Sequence, residues 1–221
     1  MKKRHAIHLT ILLLVVLWPV GRALAGTISG TVKVNGLRSP AGILVYLNRA
    51  PAPAVNLSAV RFAMDQRNLT FIPHVLPVPE GATVSFPNND KVAHNVFSLS
   101  RTKKFNLGSY GPGGSPSVRF DKPGIVEIRC DVHAEMLAYI MVMKNPYFAV
   151  TDDQGRFTIP DPHYLKSHGI TGIPELPAGR YMLKTRHPKL KTDLQAIDVP
   201  AAGTVNVQLS LSRGIPGALY K

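Results

Sequence analysis

The sequence predicts an all-β protein made of two β-sandwiches, one inserted into a loop of the other. Three observations carry that expectation. Short runs with apolar residues at every second position recur along the chain, the period of strands buried on one face. Between residues 55 and 145 about eight such runs follow one another, with no helical pattern longer than a turn. Two strands precede a Pro/Ala-rich passage at 49–55, and two strands cannot stand alone, so their partners must come from residues after 145.

Residues 1–25 read as a leader. Lys2, Lys3 and Arg4 precede an unbroken apolar run at 11–18, and Ala23-Leu24-Ala25 is a small-x-small cleavage site, as in a secretory signal peptide. The run is too short to span a bilayer, and no later one approaches the length needed. The expectation is a mature chain from Gly26, without a transmembrane anchor, in an oxidising compartment such as the periplasm. The single cysteine, Cys130, has no internal disulfide partner there. It is a liability unless it is buried, paired with another chain or held by a metal.

The outer sandwich begins at 27–34, where Ile28, Val32 and Val34 share a face. Asn35-Gly36 turns into a second strand at 42–48. The late strands are 148–151, 156–159, 180–186, 194–199 and the alternation Val205, Val207, Leu209, Leu211, which brings the total to seven, the size of a small sandwich. The domains expected are therefore a signal peptide at 1–25, a discontinuous outer sandwich at 26–54 and 146–212, an inserted sandwich at 55–145, and a tail at 213–221. Residues 161–173, with His163 and His168, interrupt the late strands and read as a solvated loop.

In the inserted segment the clearest strands are 69–75, 82–86, 95–99, 117–120, 125–130 and 138–143. Val126, Ile128 and Cys130 fall on one face and Glu127 and Arg129 on the other, so the alternation turns the cysteine inward at the end of a core strand. Residues 137–143 are apolar on both faces, which implies that the outer sandwich covers the second face.

Cys130, His133 and Met136 form a C-x2-H-x2-M run, a thiolate, an imidazole and a thioether within seven residues. Two His and one Cys in a plane with a weak axial Met is the ligand set of type 1 copper, and His94, 36 residues before Cys130, is the candidate second histidine. Other chemistries use the same residues. His94, Cys130, His133 and a water would make a zinc site with Glu135 as base, although Met136 would then have no role. Cys130 and a neighbouring His would make a nucleophilic dyad. A plain core containing a Cys, a His and a Met needs no chemistry at all.

Two family resemblances bear on this. Gly30-Thr-Val-Lys-Val-Asn-Gly36, Gly42-Ile-Leu-Val-Tyr46, Thr151-Asp-Asp-Gln-Gly-Arg-Phe157 and Leu176-Pro-Ala-Gly-Arg-Tyr181 resemble the carboxypeptidase-regulatory repeat, an immunoglobulin/transthyretin-like β-sandwich. In that family the second strand runs on to the T-D-x-x-G-x-F hairpin within a few residues, whereas roughly 100 intervene here. Residues 69–143, with the Asn88-x-Asp90 and His94-Asn95-Val96 runs and the C-x2-H-x2-M loop, resemble the cupredoxins, which are Greek-key β-sandwiches. The likeness is to the short-loop, amicyanin and plastocyanin type, and to periplasmic proteins associated with methylamine utilisation. It implies one type 1 copper with His94, Cys130 and His133 as equatorial ligands and Met136 as the axial one. It also implies that Asn95 is an outer partner whose backbone N–H points at the Cys130 sulfur. Many members have Pro after the second His; this chain has Ala134-Glu135 instead.

The implied function is one-electron carriage between periplasmic redox proteins, a dehydrogenase or a c-type cytochrome, with no catalysis of its own. A copper-binding or copper-delivery protein without an electron-carrier role is the alternative. The leader holds four of the 26 basic residues and none of the 13 acidic ones, which leaves +9 for residues 26–221. That charge suits an acidic protein partner or an anionic membrane surface. It is spread evenly and is not interleaved with aromatic residues, which excludes a nucleic-acid platform. Arg101-Thr-Lys-Lys104 is the one local basic cluster.

Overall fold

The computed structural model describes residues 26–214 apart from Ala59. The leader expected at 1–25, and the tail beyond 214, lie outside the described residues. Strands run in the order β1 (Gly26–Asn35), β2 (Leu44–Leu47), β3 (Phe62–Ala63), β4 (Asp65–Arg67), β5 (Thr70–Ile72), β6 (Val75–Pro79), β7 (Ala82–Ser85), β8 (His94–Ser100), β9 (Lys103–Tyr110), β10 (Ser117–Phe120), β11 (Gly124–Arg129) and β12 (Leu137–Met143). After these come β13 (Phe148–Val150), β14 (Arg156–Ile159), the short helix α1 (Pro162–Ser167), β15 (Gly179–Arg186), β16 (Leu194–Val199) and β17 (Gly203–Ser212). No helix among the described residues is long and apolar enough to cross a membrane.

The early and late strands interleave in two sheets, β14-β1-β17 and β13-β2-β15-β16. Their inward residues, among them Ile28, Val45, Phe157, Leu183, Ile197 and Leu209, form one buried cluster. The turn between β13 and β14 shows why its residue types matter. The Thr151 hydroxyl accepts from the Ile43 N–H (2.9 Å) and donates to the Pro40 carbonyl (2.6 Å), tying that turn to the approach of β2. The Asp152 carboxylate accepts from the N–H groups of Gln154 and Arg156. Gly155 has φ +76°, and a Cβ there would lie 2.3 Å from the Val32 carbonyl, so both conformation and space require glycine.

The intervening strands form a five-stranded sheet, β6-β12-β11-β8-β9, facing β10-β7-β3. A second core lies between them, with Phe71, Phe86, Val96, Phe120, Ile128, Cys130, Met136 and Ile140. The sequence reading differs from this sheet at two places. Residues 69–75 are two strands, because Asn68 and Leu69 turn with positive φ and Pro73, which has no N–H to donate to a ladder, separates β5 from β6. Lys103 and Lys104, of the local basic cluster, begin the edge strand β9, which the sequence pattern did not mark and whose Phe105 and Leu107 pack on the core.

Strand β12 is buried on both faces. Ala138, Ile140 and Val142 enter the central core, while Tyr139, Met141 and Met143 pack with Leu44 and Phe148 of the outer sheet. His187, just past β15, lies at this seam with Val75, Tyr139 and Met141. Burial first, then the nearby His74 and Lys189, push its pKa down from 6.5 to about 4. A histidine depressed in the folded state favours folding fully above its unfolded pKa, and that contribution is lost as pH falls through the folded one. Stability should therefore decline between about pH 6.5 and pH 4. The urea midpoint of His187→Gln should be flatter with pH over that window than the parent's.

Residues 161–173 are not a solvated loop. The Asp161 side chain caps α1 by accepting from the Tyr164 N–H (2.9 Å), with Pro162 in the first turn, a regular N-terminus. The Tyr164 hydroxyl donates to the Pro77 carbonyl of β6, and its ring meets Phe148 edge-on and stacks on His168. His168 in turn stacks on Phe62 of β3, with ring centroids 5.0 Å apart, while His163 is exposed. Ile170 is 4 % exposed and belongs to the central core. This segment leaves the outer sandwich and closes one side of the inner one. Ile170→Ala should cost about 2–5 kcal/mol in denaturant unfolding, as core truncations do, whereas a solvated residue would cost close to nothing.

Candidate metal centre

The stretch from Cys130 to Met136 is the loop that closes the β11–β12 hairpin, where Arg129 pairs with Leu137. Cys130 and Met136 therefore sit at its base and are 4 % and 1 % exposed. His133 lies at the middle, half-buried, and its carbonyl accepts from the Met136 N–H (3.0 Å), which folds the loop back on itself. On its other side β11 pairs with β8, Arg129 opposite Phe97. His94 is the first residue of β8 and is fully buried, so sheet topology alone carries it to the cysteine.

The donors converge. His94 Nδ1 and His133 Nδ1 are 3.1 Å apart, and Cys130 Sγ is 3.9 Å from His133 Nδ1. All three donor atoms lie within 4.8 Å of one another. Bonds of roughly 2.0–2.3 Å to a single ion would put neighbouring donors roughly 3.5–4 Å apart; the Cys130–His133 separation has this spacing, and the two imidazoles lie slightly closer. A thiolate, two imidazoles and a nearby buried thioether match the preference of copper better than that of zinc or the hard cations. The residues present fit the metal. Among the described residues no other cluster of three or more His, Cys, Asp or Glu side chains has this closeness.

Asp90 is a functional residue that the sequence reading assigned no role. Its Oδ2 accepts from His94 Nε2 (3.1 Å) and from the Leu69 N–H (2.8 Å), and its Oδ1 accepts from the Lys91 N–H (2.8 Å). These bonds, the Leu69 amide first and the Lys91 amide next, hold its carboxyl down at about 2. A carboxylate on Nε2 fixes the proton there and leaves the Nδ1 lone pair directed at Cys130 and His133. The tip of the β4–β5 hairpin thus orients a ligand through one carboxylate. The signal available was an acid four residues before the histidine.

The loop that carries Asp90 is itself held from below. Asn88, fully buried, donates through Nδ2 to the carbonyls of Val92 and Tyr110, and its Oδ1 accepts from the Asp90 N–H. Gln66, also fully buried, donates to the Phe86 carbonyl and to the Tyr110 hydroxyl. Burial pushes Tyr110 up to about 12, the Gln66 bond opposes that rise, and the proximity of Cys130 adds to it. Asn95 is buried next to His94, and its Nδ2 donates to Asn106 Oδ1 on β9 (2.7 Å). Its side chain therefore ties β8 to β9, while Oδ1 has no partner.

The chain is 32% identical over 89 residues to the chloroplastic plastocyanin of Physcomitrium patens, a match covering 36% of this chain and 53% of that protein. That likeness and the His94, Cys130 and His133 cluster support placing the central sandwich with the cupredoxins. The chain spans about half the length of that curated relative. No family model matches it. Among solved structures, the purple cupredoxin from Nitrosopumilus maritimus is 22% identical, with a TM-score of 0.34 over 37% of this chain and 99% of that one. Amicyanin from Paracoccus versutus is 15% identical, with a TM-score of 0.36 over 45% and 97%. A copper-containing nitrite reductase from Thermus scotoductus is 25% identical, with a TM-score of 0.37 over 51% and 28%.

Proposed function

We propose that this protein is a periplasmic one-electron carrier with a single type 1 copper held by His94, Cys130 and His133 in a plane and by Met136 as the weak axial ligand. The observation that carries the proposal is the convergence of two imidazole Nδ1 atoms and one thiol within 4.8 Å, beside a methionine only 1 % exposed. Copper, when bound, supplies a couple that takes up and gives back one electron.

The chain's own residues account for the rest. The Asp90 contact orients His94, and the hairpin ends fix Cys130 and Met136, so the fold itself sets the donor positions. A site preorganised in this way changes little between oxidation states. His133 is the one proposed ligand that is not fully buried, and Val132 (57 % exposed) and Val92 (43 % exposed) lie on the two loops that carry the ligands. This apolar rim would meet an acidic periplasmic dehydrogenase or cytochrome, and the positive charge of the chain would speed the encounter. For the outer sandwich the carboxypeptidase-regulatory resemblance supports a binding or spacing role.

The test is a visible spectrum and voltammogram of the protein loaded with Cu(II). An intense thiolate-to-copper absorption and a reversible one-electron wave are expected. A colourless protein that holds Cu(I) alone, or surrenders copper readily to an acceptor, would replace the carrier reading with copper delivery.

A further inference from the structure

Where the two sandwiches meet, near the far end of β12 from the metal loop, lies a cavity of about 300 Å³. The outer sandwich contributes Tyr46 and Arg186 to its lining, and the central sandwich contributes Ile125, Met141 and Lys144. No acidic side chain lines it. Arg186 ends β15, and its Nε is buried with no hydrogen-bond acceptor. Neither Arg186 nor Lys144 belongs to any of the ion pairs among the described residues.

An arginine stays charged at all ordinary pH, and a buried N–H without an acceptor costs about 1–3 kcal/mol, more on a charged group. Burial raises the pKa of the neighbouring Tyr46 hydroxyl, with the Arg186 cation and a hydrogen bond to it acting in the opposite direction. Tyr46 therefore stays neutral and leaves the guanidinium without a counter-ion. The polar atoms of Asn145 at the rim are already used: Nδ2 donates to the Leu47 carbonyl and Oδ1 accepts from the Tyr147 N–H. The cavity thus presents two cationic side chains and no acidic one to balance them.

We infer that this seam binds a small organic carboxylate, its oxygens on Arg186 and Lys144 and its apolar tail along Met141 and Ile125. A guanidinium takes a carboxylate in a two-bond fork. Methionine supplies an adaptable apolar wall for chains of differing shape. At about 30 Å³ per water-sized group, the cavity holds roughly ten non-hydrogen atoms. Because both sandwiches line it, the site exists only while they are docked.

The test titrates the full secreted chain with hexanoate and, for comparison, acetate, following binding by calorimetry and by NMR shifts of the methionine methyl groups. Saturable one-to-one binding of hexanoate is expected, tighter than acetate, with shifts at Met141. Arg186→Gln should weaken it about tenfold or more, the value of a charge-assisted hydrogen bond, and Arg186→Lys should recover part of the loss. If Arg186→Gln does not fold, Lys144→Gln, at an exposed position, should still weaken binding severalfold and reduce its sensitivity to salt. Absence of saturation at tens of millimolar hexanoate, or equal binding by the parent and the folded variants, would overturn the site. Binding of acidic peptides with none of hexanoate would assign the seam to a protein partner and would equally overturn it.

Discussion

Cys130→Ser should abolish the intense visible absorption of the copper-loaded protein while leaving its fold intact. The colour requires a thiolate sulfur bonded to Cu(II), and a serine hydroxyl is a hard, neutral donor that gives no such transition. Cys130 is 4 % exposed at the mouth of the central core, and serine is the substitution of nearest shape there. A buried hydroxyl without a partner costs about 1–3 kcal/mol, but His133 Nδ1, 3.9 Å from the sulfur, lies close enough to accept after a small adjustment. Far-UV circular dichroism should therefore be unchanged. If the variant bound Cu(II) with the same colour as the parent, the cysteine would not be a ligand and the electron-carrier reading would fall with it.

The parts of this site written into local pattern were legible before the structure. The alternation of Val126, Ile128 and Cys130 against Glu127 and Arg129 predicts an inward thiol, and β11 buries Val126 and Ile128 completely. The apolar-on-both-faces run of β12 signals a strand between two cores, where it lies. What was not legible depends on turns with weak sequence marks. Asn68 and Leu69 both take positive φ, yet leucine is a residue that such a turn seldom uses, so no hairpin was read at that point and the Leu69 amide could not be connected with Asp90.

The segment at 161–173 failed for a different reason. Asp161-Pro162 is a helix-start signal and Tyr164, Leu165, Ile170 and Ile173 are apolar, but two histidines and a position between outer strands favoured solvent over packing. Its partners, Phe62 and Pro77, lie about 90–105 residues earlier in the chain. No local pattern encodes a contact of that range.

Asp90→Ala should lower copper affinity by about 10–100-fold, the usual cost of removing an outer partner of a metal-binding histidine. Three donors lose their acceptor at once: His94 Nε2, the Leu69 N–H and the Lys91 N–H. His94 Nε2 would lose the carboxylate that fixes its proton, and the proton could move to Nδ1, the atom that must present a lone pair to the metal. The Leu69 amide, at an exposed hairpin tip, can find solvent, so the main loss falls on the ligand and not on the fold. Asp90→Asn separates the effects, because its amide oxygen can still accept from Nε2 without the charge. Affinity is therefore expected in the order parent, Asn, Ala, measured by competition with a copper chelator. Equal affinity in all three would mean that backbone packing alone positions His94.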